Sequence, residues 1–253
     1  METLNNIVLT IQNYMSNYIL VIALLGAGLW FSIRLGFIQV RGFGESMRRT
    51  FGGLFSKKGE AGADGMSSFQ ALATAIAAQV GTGNIAGAAT ALAIGGAGAI
   101  FWMWIAAFLG MATIYAEAIM AQKYKTVGAD GQVTGGPVYY IRAAFKGTFG
   151  KVLAGIFAIL ITLALGFMGN AVQSNSIAAS FHTAFGIPQW IMGLVVAVIA
   201  IFVFMGGMKR IAKVTETIVP FMAALYIIGS LIVIIYNYKN IPYAFASIFI
   251  GAF

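Results

Sequence analysis

Apolar residues run along this chain in long stretches that are separated by short polar segments. A helix needs about 20 apolar residues to cross the ~30 Å hydrocarbon core of a bilayer, and stretches of that kind recur. We predict six membrane-spanning helices, at residues 18–35, 68–94, 99–123, 152–181, 189–208 and 214–236. Residues 244–253 are also apolar but too few to span, so we expect them to start a further span of a longer protein.

The composition is typical of a membrane protein. Hydrophobic residues make up 60% of the 253 residues and charged residues only 9%, whereas a globular domain carries roughly 25% charged residues. The chain has no cysteine and one histidine, which excludes thiolate metal sites. Because the spans hold neither paired acids nor a histidine beside a nucleophile, we predict no enzymatic activity and no cofactor. The predicted class is an all-α integral membrane protein with one transmembrane domain over residues 1–253.

The positive charge is distributed unevenly between the two ends of the predicted spans. A net charge of +8 is compatible with nucleic-acid binding, but the basic residues cluster in alternate loops. These loops are 36–67, 123–151 and 209–213, and Lys239 is the one basic residue on the opposite side. The positive-inside rule therefore predicts that these loops are cytoplasmic and that the N-terminus is outside. We expect a multi-pass protein of the plasma membrane that binds the lipid bilayer and no nucleic acid.

The second predicted span is interrupted in its middle by QVGTGNIAG, residues 79–87. Lipid offers a free backbone group no hydrogen-bond partner, so non-helical backbone at this depth survives only where it lines a cavity or binds a ligand. Gly81 and Gly83 lower the cost of unwinding, because glycine tolerates positive φ. We predict a break near residues 80–84. The carbonyls freed before it suit a cation, and the N–H groups freed after it suit an anion.

A packing role for these glycines is the main alternative, since small residues also allow two membrane helices to approach closely. Gln79 and Asn84 favour a functional role, because polar side chains at this depth are costly. A phosphate-binding loop is excluded: the glycine spacing is G-x-G-x-x-x-G, no strand precedes it and no Gly-Lys-Ser/Thr follows. The break is therefore suited to a zwitterionic amino acid together with a cation.

The fourth span carries a second polar group of residues on one helical face. Its members recur at intervals of three and four: they are Thr162, Gly166, Asn170, Gln173 and Ser174. For Gln173 and Ser174 two interpretations stay open, hydrogen bonding between helices and lining of a cavity. Asn170 is better placed for substrate contact, near the middle of the membrane. Glu117 and Glu216 are the acids inside spans, near the cytoplasmic ends, and for Glu117 a hydrogen bond or ion pair close to the basic loops is favoured over proton coupling.

Three separated motifs resemble those of one transporter family. They are FQALATAIAAQVGTGNIAGAATALAIGGAGAIFWMW, GMATIYAEA and GGPVYYI, in that order along the chain. They resemble the alanine or glycine:cation symporters, also called sodium:alanine symporters. The resemblance implies the leucine-transporter-type fold. The first span is then an extra N-terminal helix, the next five spans form the first repeat, and the second, inverted repeat is missing.

The resemblance also implies roles for residues at the break. The wider fold has a VGxGN motif at its unwound core helix, which matches residues 80–84. By this likeness the N–H groups of Thr82 and Gly83 bind the substrate carboxylate, and the carbonyl of Gln79 faces the substrate or a cation. Asn170 lies on the helix that lines the substrate cavity.

A sodium site is implied beside the substrate. By the same resemblance its ligands include the carbonyls of Ala77 and Val80 and the side chain of Asn84. The implied function is sodium-coupled symport of a small neutral amino acid, alanine or glycine, with sodium as the coupling ion. A proton-coupled or uncoupled carrier or channel of the same fold is the alternative, and it would transport without sodium. A non-transporting scaffold is a further alternative.

Overall fold

A computed structural model describes residues 2–54, 68–128 and 133–253, and almost all of them are helical. The α-helices are α1 (Glu2–Tyr14), α2 (Val21–Arg34), α3 (Ile38–Arg41), α4 (Phe43–Leu54), α5 (Ser68–Gln79), α6 (Ala88–Gly95), α7 (Gly98–Lys123), α8 (Pro137–Ala144), α9 (Gly147–Ile161), α10 (Asn170–Phe185), α11 (Gln189–Phe204), α12 (Gly207–Tyr236) and α13 (Ile241–Ile250). Strands β1 (Thr126–Val127) and β2 (Val133–Thr134) pair antiparallel. Lys57 and Lys58, which belong to the predicted basic loop 36–67, and Asp130 and Gly131, in the predicted loop 123–151, lie outside the described residues. Asp-Gly is a typical turn signal.

Several helices are joined end to end through π-helical turns, so that the continuous helices are longer than the single elements. The π-helical segments are Met15–Leu20, Gly83–Gly87 and Thr162–Gly169. In the part of the chain that the structure describes, four helices are long and apolar enough to cross a membrane: Asn5–Arg34, Gly98–Lys123, Gly147–Phe185 and Gly207–Tyr236. The protein is therefore an all-α membrane protein.

One of the six predicted spans has a shorter helix than expected, and another is divided at the place where a break was predicted. The second predicted span is divided between α5 and the apolar helix Gly83–Gly95, and the fifth, 189–208, is a helix that ends at Phe204. Sixteen helical residues extend roughly 24 Å at 1.5 Å per residue, which is less than the ~30 Å core. Both apolar segments have enough residues to cross the hydrocarbon core as one helix. In each of them the helix ends before that length is reached.

Two helices extend beyond the apolar runs that were predicted to span the membrane, for one shared reason. The first helix begins at Glu2 and not at residue 18, and the basic segment 209–213 is not a loop but the start of α12. Charged and polar side chains end an apolar run without ending the helix, because a helix that leaves the hydrocarbon core can continue with polar residues. The limits of apolar runs therefore marked the hydrophobic part of each helix and missed its polar extension.

Close helix pairs hold the bundle together and position its interrupted helix. Helix α2 packs on α7, where a Cβ on Gly28 would lie 2.9 Å from the Cβ of Leu109. Helix α5 packs on α12, and Ala73 and Ala212, one on each of these helices, are both 2% exposed. Small side chains are typical where membrane helices approach closely. The first half of the interrupted helix is therefore held mainly by α12.

The connection between α7 and α9 is structured. The hairpin of β1 and β2 is closed by a contact between the hydroxyls of Thr126 and Thr134, whose oxygens lie 3.2 Å apart. The Tyr139 hydroxyl donates to the Thr134 hydroxyl oxygen at 2.9 Å, which ties α8 to the hairpin. Within the segment that the sequence predicted as the basic loop 123–151, residues 137–144 form the short helix α8. The sequence contains no signal for strands of two residues.

Candidate functional site

The helix that starts at Ser68 ends at Gln79, and a π-helical segment begins at Gly83. Val80 and Gly81 between them are not helical. The Val80 N–H still donates to the Ile76 carbonyl at 2.8 Å, in the manner of an α-helix. From Gly81 onwards the helical pattern is lost, because the next two N–H groups donate to side chains. The interruption thus occupies the first half of the segment predicted to be broken.

Asn84 organises the start of the second half-helix. Its side-chain oxygen accepts a hydrogen bond from the Gly81 N–H at 2.9 Å, and its own N–H donates to the Gly81 carbonyl at 3.1 Å. This is the reach-back half of a capping box, in which the third helical residue satisfies the N–H of the capping residue. Asparagine suits this place because its short amide reaches the local backbone. The amide of Asn84 is therefore engaged in holding the break in shape.

Gln173 on α10 reaches the break from another helix. Its side-chain oxygen accepts a hydrogen bond from the Thr82 N–H at 3.2 Å. In an unbroken helix this N–H would donate to the carbonyl four residues earlier, that of Ala78. Gln173 thus supplies one of the partners that unwinding removes. Of the two interpretations left open for this residue, the structure shows a hydrogen bond between helices, made at the break itself.

The two glycines of the break differ in what surrounds them. A Cβ on Gly81 would collide with the side-chain nitrogen of Gln173, so with any other residue here the amide would have to leave its present position. A Cβ on Gly83 would meet no described atom within 4 Å, so its backbone is open to approach. Gly81 therefore serves the contact between helices, and Gly83 leaves one face of the main chain accessible. Gly81 thus fits the packing role that the sequence left open, and the accessible backbone at Gly83 is compatible with a functional role.

The carbonyl side of the break loses its helical donors. The Gly81 and Thr82 N–H groups, which an intact helix would direct to the carbonyls of Ala77 and Ala78, point to side chains instead. Ala77, Gln79 and Val80 are exposed. The described residues contain no group of three or more His, Cys, Asp or Glu that could hold a metal ion. The polar groups on this side of the break are main-chain carbonyls and the amide oxygen of Asn84.

Asn170 lies at the junction of a π-helical segment and α10. Its amide nitrogen donates to the carbonyl of Gly166 at 3.0 Å, and the side chain is exposed. The π-helical turn Thr162–Gly169 precedes it directly, and such turns are frequent at functional sites. Gln173, less than one turn further on, contacts the break. The hydrogen bond of the Asn170 side chain stays within its own helix.

Polar contacts also anchor α5 below the break. The amide nitrogen of Gln70 donates to the Glu216 carboxylate at 3.0 Å, and the hydroxyl oxygens of Thr74 and Thr215 lie 3.2 Å apart. The sequence places Glu216 inside a span, and the structure shows that its carboxylate accepts a hydrogen bond from an amide. Its partner could not be identified from sequence, because the two residues lie far apart along the chain.

Comparisons with known proteins agree on one family. The family model described as the sodium:alanine symporter family matches residues 1–253. The sodium/alanine symporter AgcS of Methanococcus maripaludis is 42% identical over 250 residues, which cover 98% of this chain and 54% of that protein. A putative sodium/proton-dependent alanine carrier protein of Bacillus subtilis, YrbD, is 47% identical over 230 residues, covering 91% of this chain and 46% of its own length.

A relative named for another substrate matches at a similar level. The probable sodium/glutamine symporter GlnT of Bacillus subtilis is 40% identical over 252 residues, covering 100% of this chain and 51% of that protein. The chain thus spans about half the length of the curated relatives that it matches. The predicted family is confirmed, and it is a family of transporters and not of enzymes.

Proposed function

Because the chain belongs to the sodium:alanine symporter family, we propose that it contributes the broken-helix half of a site for sodium-coupled symport of alanine. The observation that carries this proposal is the interruption at Val80–Gly81, whose two sides present groups of opposite polarity. An amino acid carries a carboxylate and an ammonium group, and sodium adds a second cation. One break can therefore serve both partners through main-chain dipoles.

The substrate carboxylate is assigned to the N–H side of the break. Thr82 and Gly83 begin the second half-helix, where N–H groups have no helical acceptor. The open space above Gly83 supports this assignment, because a ligand must approach the backbone closely to accept from it. The Gln79 carbonyl and the Asn170 side chain complete the proposed substrate site from the two helices.

The substrate carboxylate would replace the Gln173 side chain as the hydrogen-bond acceptor of the Thr82 N–H. Its amide oxygen accepts from the Thr82 N–H, as a substrate carboxylate would. A carboxylate is charged and forms the stronger hydrogen bond with the same donor. We infer that the arriving substrate displaces the amide oxygen, so that the N–H remains satisfied with and without substrate. This exchange avoids an unpaired backbone group in the membrane.

Sodium is assigned to the carbonyl side of the break. The carbonyls of Ala77 and Val80 are the proposed main-chain ligands, and the Asn84 amide oxygen is the proposed side-chain ligand. That oxygen already accepts from the Gly81 N–H, but a side-chain amide oxygen has two lone pairs and can also face a cation. Sodium bound here would stabilise the interrupted conformation and so raise the affinity for the amino acid.

The wider architecture is part of the proposal. We infer a leucine-transporter-type fold in which α1 and α2 form an extra N-terminal helix and the following spans form the first of two inverted repeats. Residues 1–253 would then be one transmembrane domain of six spans. The basic loops 36–67 and 123–151 and the basic start of α12 would face the cytoplasm, with the N-terminus outside. The broken second helix and the alternation of basic segments support this arrangement.

The direct test is uptake of radiolabelled alanine by vesicles that contain the full-length protein. With an inward sodium gradient, uptake should exceed the level measured when choline replaces sodium by at least tenfold. Uptake that is the same in choline would reject sodium coupling. Unlabelled glycine, glutamine and D-alanine as competitors would define the substrate, and glycine is expected to compete because it fits any site that admits alanine.

Proton coupling is the second candidate, because two relatives are named sodium/proton-dependent alanine carriers. Glu216 is the acid on a spanning helix that contacts the interrupted helix, through Gln70. Uptake driven by an inward proton gradient in the absence of sodium, and lost in Glu216→Gln, would favour this candidate. Sodium-driven uptake that Glu216→Gln leaves intact would reject a role for this carboxylate in coupling.

A further inference from the structure

We propose that Thr215 and Glu216 are positioning residues that hold α5 against α12 in one state of the transport cycle, and that α5 leaves them in the other. The inference rests on the proposed function, because a carrier must open its site in turn to each side of the membrane. It adds a named contact that opening must break. Neither residue contacts the break itself.

The contact is polar and lies between two helices. Gln70 donates to the Glu216 carboxylate at 3.0 Å, and the Thr74 and Thr215 hydroxyl oxygens lie 3.2 Å apart. Glu216 and Thr215 are both partly buried. In the described part of the chain the carboxylate of Glu45 forms ion pairs, with Arg48 and Arg49, whereas Glu216 is bonded to a neutral amide. A bond of this type fixes a position and can still be released.

The interruption allows α5 to move as a separate body. A continuous helix would carry its second half along, but α5 ends at Gln79 and the next helical segment starts after Val80 and Gly81. Hinges consist of a few residues at the ends of elements that absorb the change in backbone angles. Helix α12, in contrast, is continuous from Gly207 to Tyr236. We therefore assign the motion to α5 and the fixed surface to α12.

A reversible cross-link tests whether this contact must open. Residues 1–253 contain no cysteine, so Thr74→Cys with Thr215→Cys gives this part of the full-length protein a single possible disulfide, between α5 and α12; any cysteine elsewhere in the protein is first replaced by serine. Oxidation should form the disulfide and reduce sodium-driven alanine uptake at least tenfold, and reduction should restore it. Full uptake by completely cross-linked protein would overturn the proposal, and so would failure of the disulfide to form.

The matched control uses a second pair of threonines with the same geometry. The hydroxyl oxygens of Thr126 and Thr134 are also 3.2 Å apart, but both residues belong to the hairpin outside the spans. The Thr126→Cys/Thr134→Cys variant should keep its uptake after oxidation. If neither variant transports alanine in the reduced state, the proposed function fails, and a second measurement must decide on the contact.

Labelling of a buried position provides that measurement and needs no transport. Ala73, which adjoins Thr74 on α5, is 2% exposed, so a single Ala73→Cys should react slowly with a maleimide. Adding Glu216→Ala should raise the labelling rate at least threefold, because α5 then separates from α12 more often. The control is Glu117→Ala, which removes an acid of α7 and should leave the rate unchanged. Equal rates in all three proteins would overturn the proposal.

Discussion

The side chain of Gln173 lies against Gly81, at a distance that leaves no room for a Cβ on the glycine. The same side chain accepts a hydrogen bond from the neighbouring residue, Thr82. A residue of another helix thus helps to set the conformation of the interrupted helix. Gln173 of α10 fills the space above Gly81 and accepts the hydrogen bond of the Thr82 N–H. A side chain at residue 81 would displace the amide of residue 173 from this position.

Gly81→Ala should destabilise the protein. The new methyl group meets the end of the flexible Gln173 side chain, so the amide must shift away from the Thr82 N–H. The expected cost is that of one lost hydrogen bond, about 1 kcal/mol. The melting temperature of the purified protein in detergent measures the effect. Gly83→Ala is the matched control, since its Cβ meets no described atom within 4 Å, and it should melt within about 2 °C of the wild type.

Removing the Gln173 side chain should relieve the collision. Gln173→Ala alone leaves the Thr82 N–H without its side-chain acceptor and should cost about 1–2 kcal/mol. The double variant Gly81→Ala/Gln173→Ala should be less destabilised than the sum of the two single variants, because residues in contact are coupled. Strict additivity of the three melting-temperature shifts would contradict direct contact between these residues.

Gly83→Leu should abolish alanine uptake without preventing folding. The branched side chain extends into the open space above the backbone and blocks the approach of a carboxylate to the N–H groups. Gly87→Leu is the control, because a Cβ there also meets no described atom within 4 Å and the residue closes the same π-helical segment. Membrane insertion should be normal in both variants. Wild-type uptake by Gly83→Leu would remove the break from the substrate site.

Asn84→Ala should weaken the break by removing the acceptor of the Gly81 N–H. Loss of a capping side chain costs about 1 kcal/mol, and we expect a lower melting temperature together with lower sodium affinity. Asn84→Asp retains an oxygen at the same distance from the backbone and should recover the stability lost in Asn84→Ala. Sodium-dependent tryptophan fluorescence would measure the affinity. Equal stability of the alanine and aspartate variants would contradict the capping role.

Much of this fold could be predicted from the sequence, but less of the candidate site. Apolar runs marked the hydrophobic part of the helices, and two glycines beside Asn84 marked the interruption. Polar helix extensions were missed, because α1 and the start of α12 carry their polar residues within regular helix. The contact of Gln173 with Gly81 could not be derived. Helical periodicity places Gln173 on a polar face but says nothing about which neighbouring helix that face meets.

Tyr140 in the helix that follows the hairpin provides a pH-dependent signal. Burial and, secondly, the negative charge of Glu117 raise the pKa of its phenol above the ordinary value. The folded protein therefore keeps this proton longer than the unfolded chain. The resulting stability is complete below the pKa of the unfolded chain and is lost as the pH rises through the folded pKa.

The chain has ten tyrosines, so the difference in 295 nm absorbance between the wild type and Tyr140→Phe isolates this titration. Glu117→Gln should shift the titration of Tyr140 to lower pH but not to the value of free tyrosine, because burial persists. A titration that Glu117→Gln leaves unchanged would show that the carboxylate does not act on the phenol.

Mutual enhancement of alanine and sodium binding is the most direct test of a shared site at the break. Isothermal titration of the full-length protein would give the alanine affinity with and without sodium, and the sodium affinity with and without alanine. Coupling between two ligands is reciprocal, so both affinities should rise by the same factor, at least tenfold, and Gly83→Leu should abolish alanine binding. Alanine binding of equal strength in sodium and in choline, or unchanged in Gly83→Leu, would contradict the account.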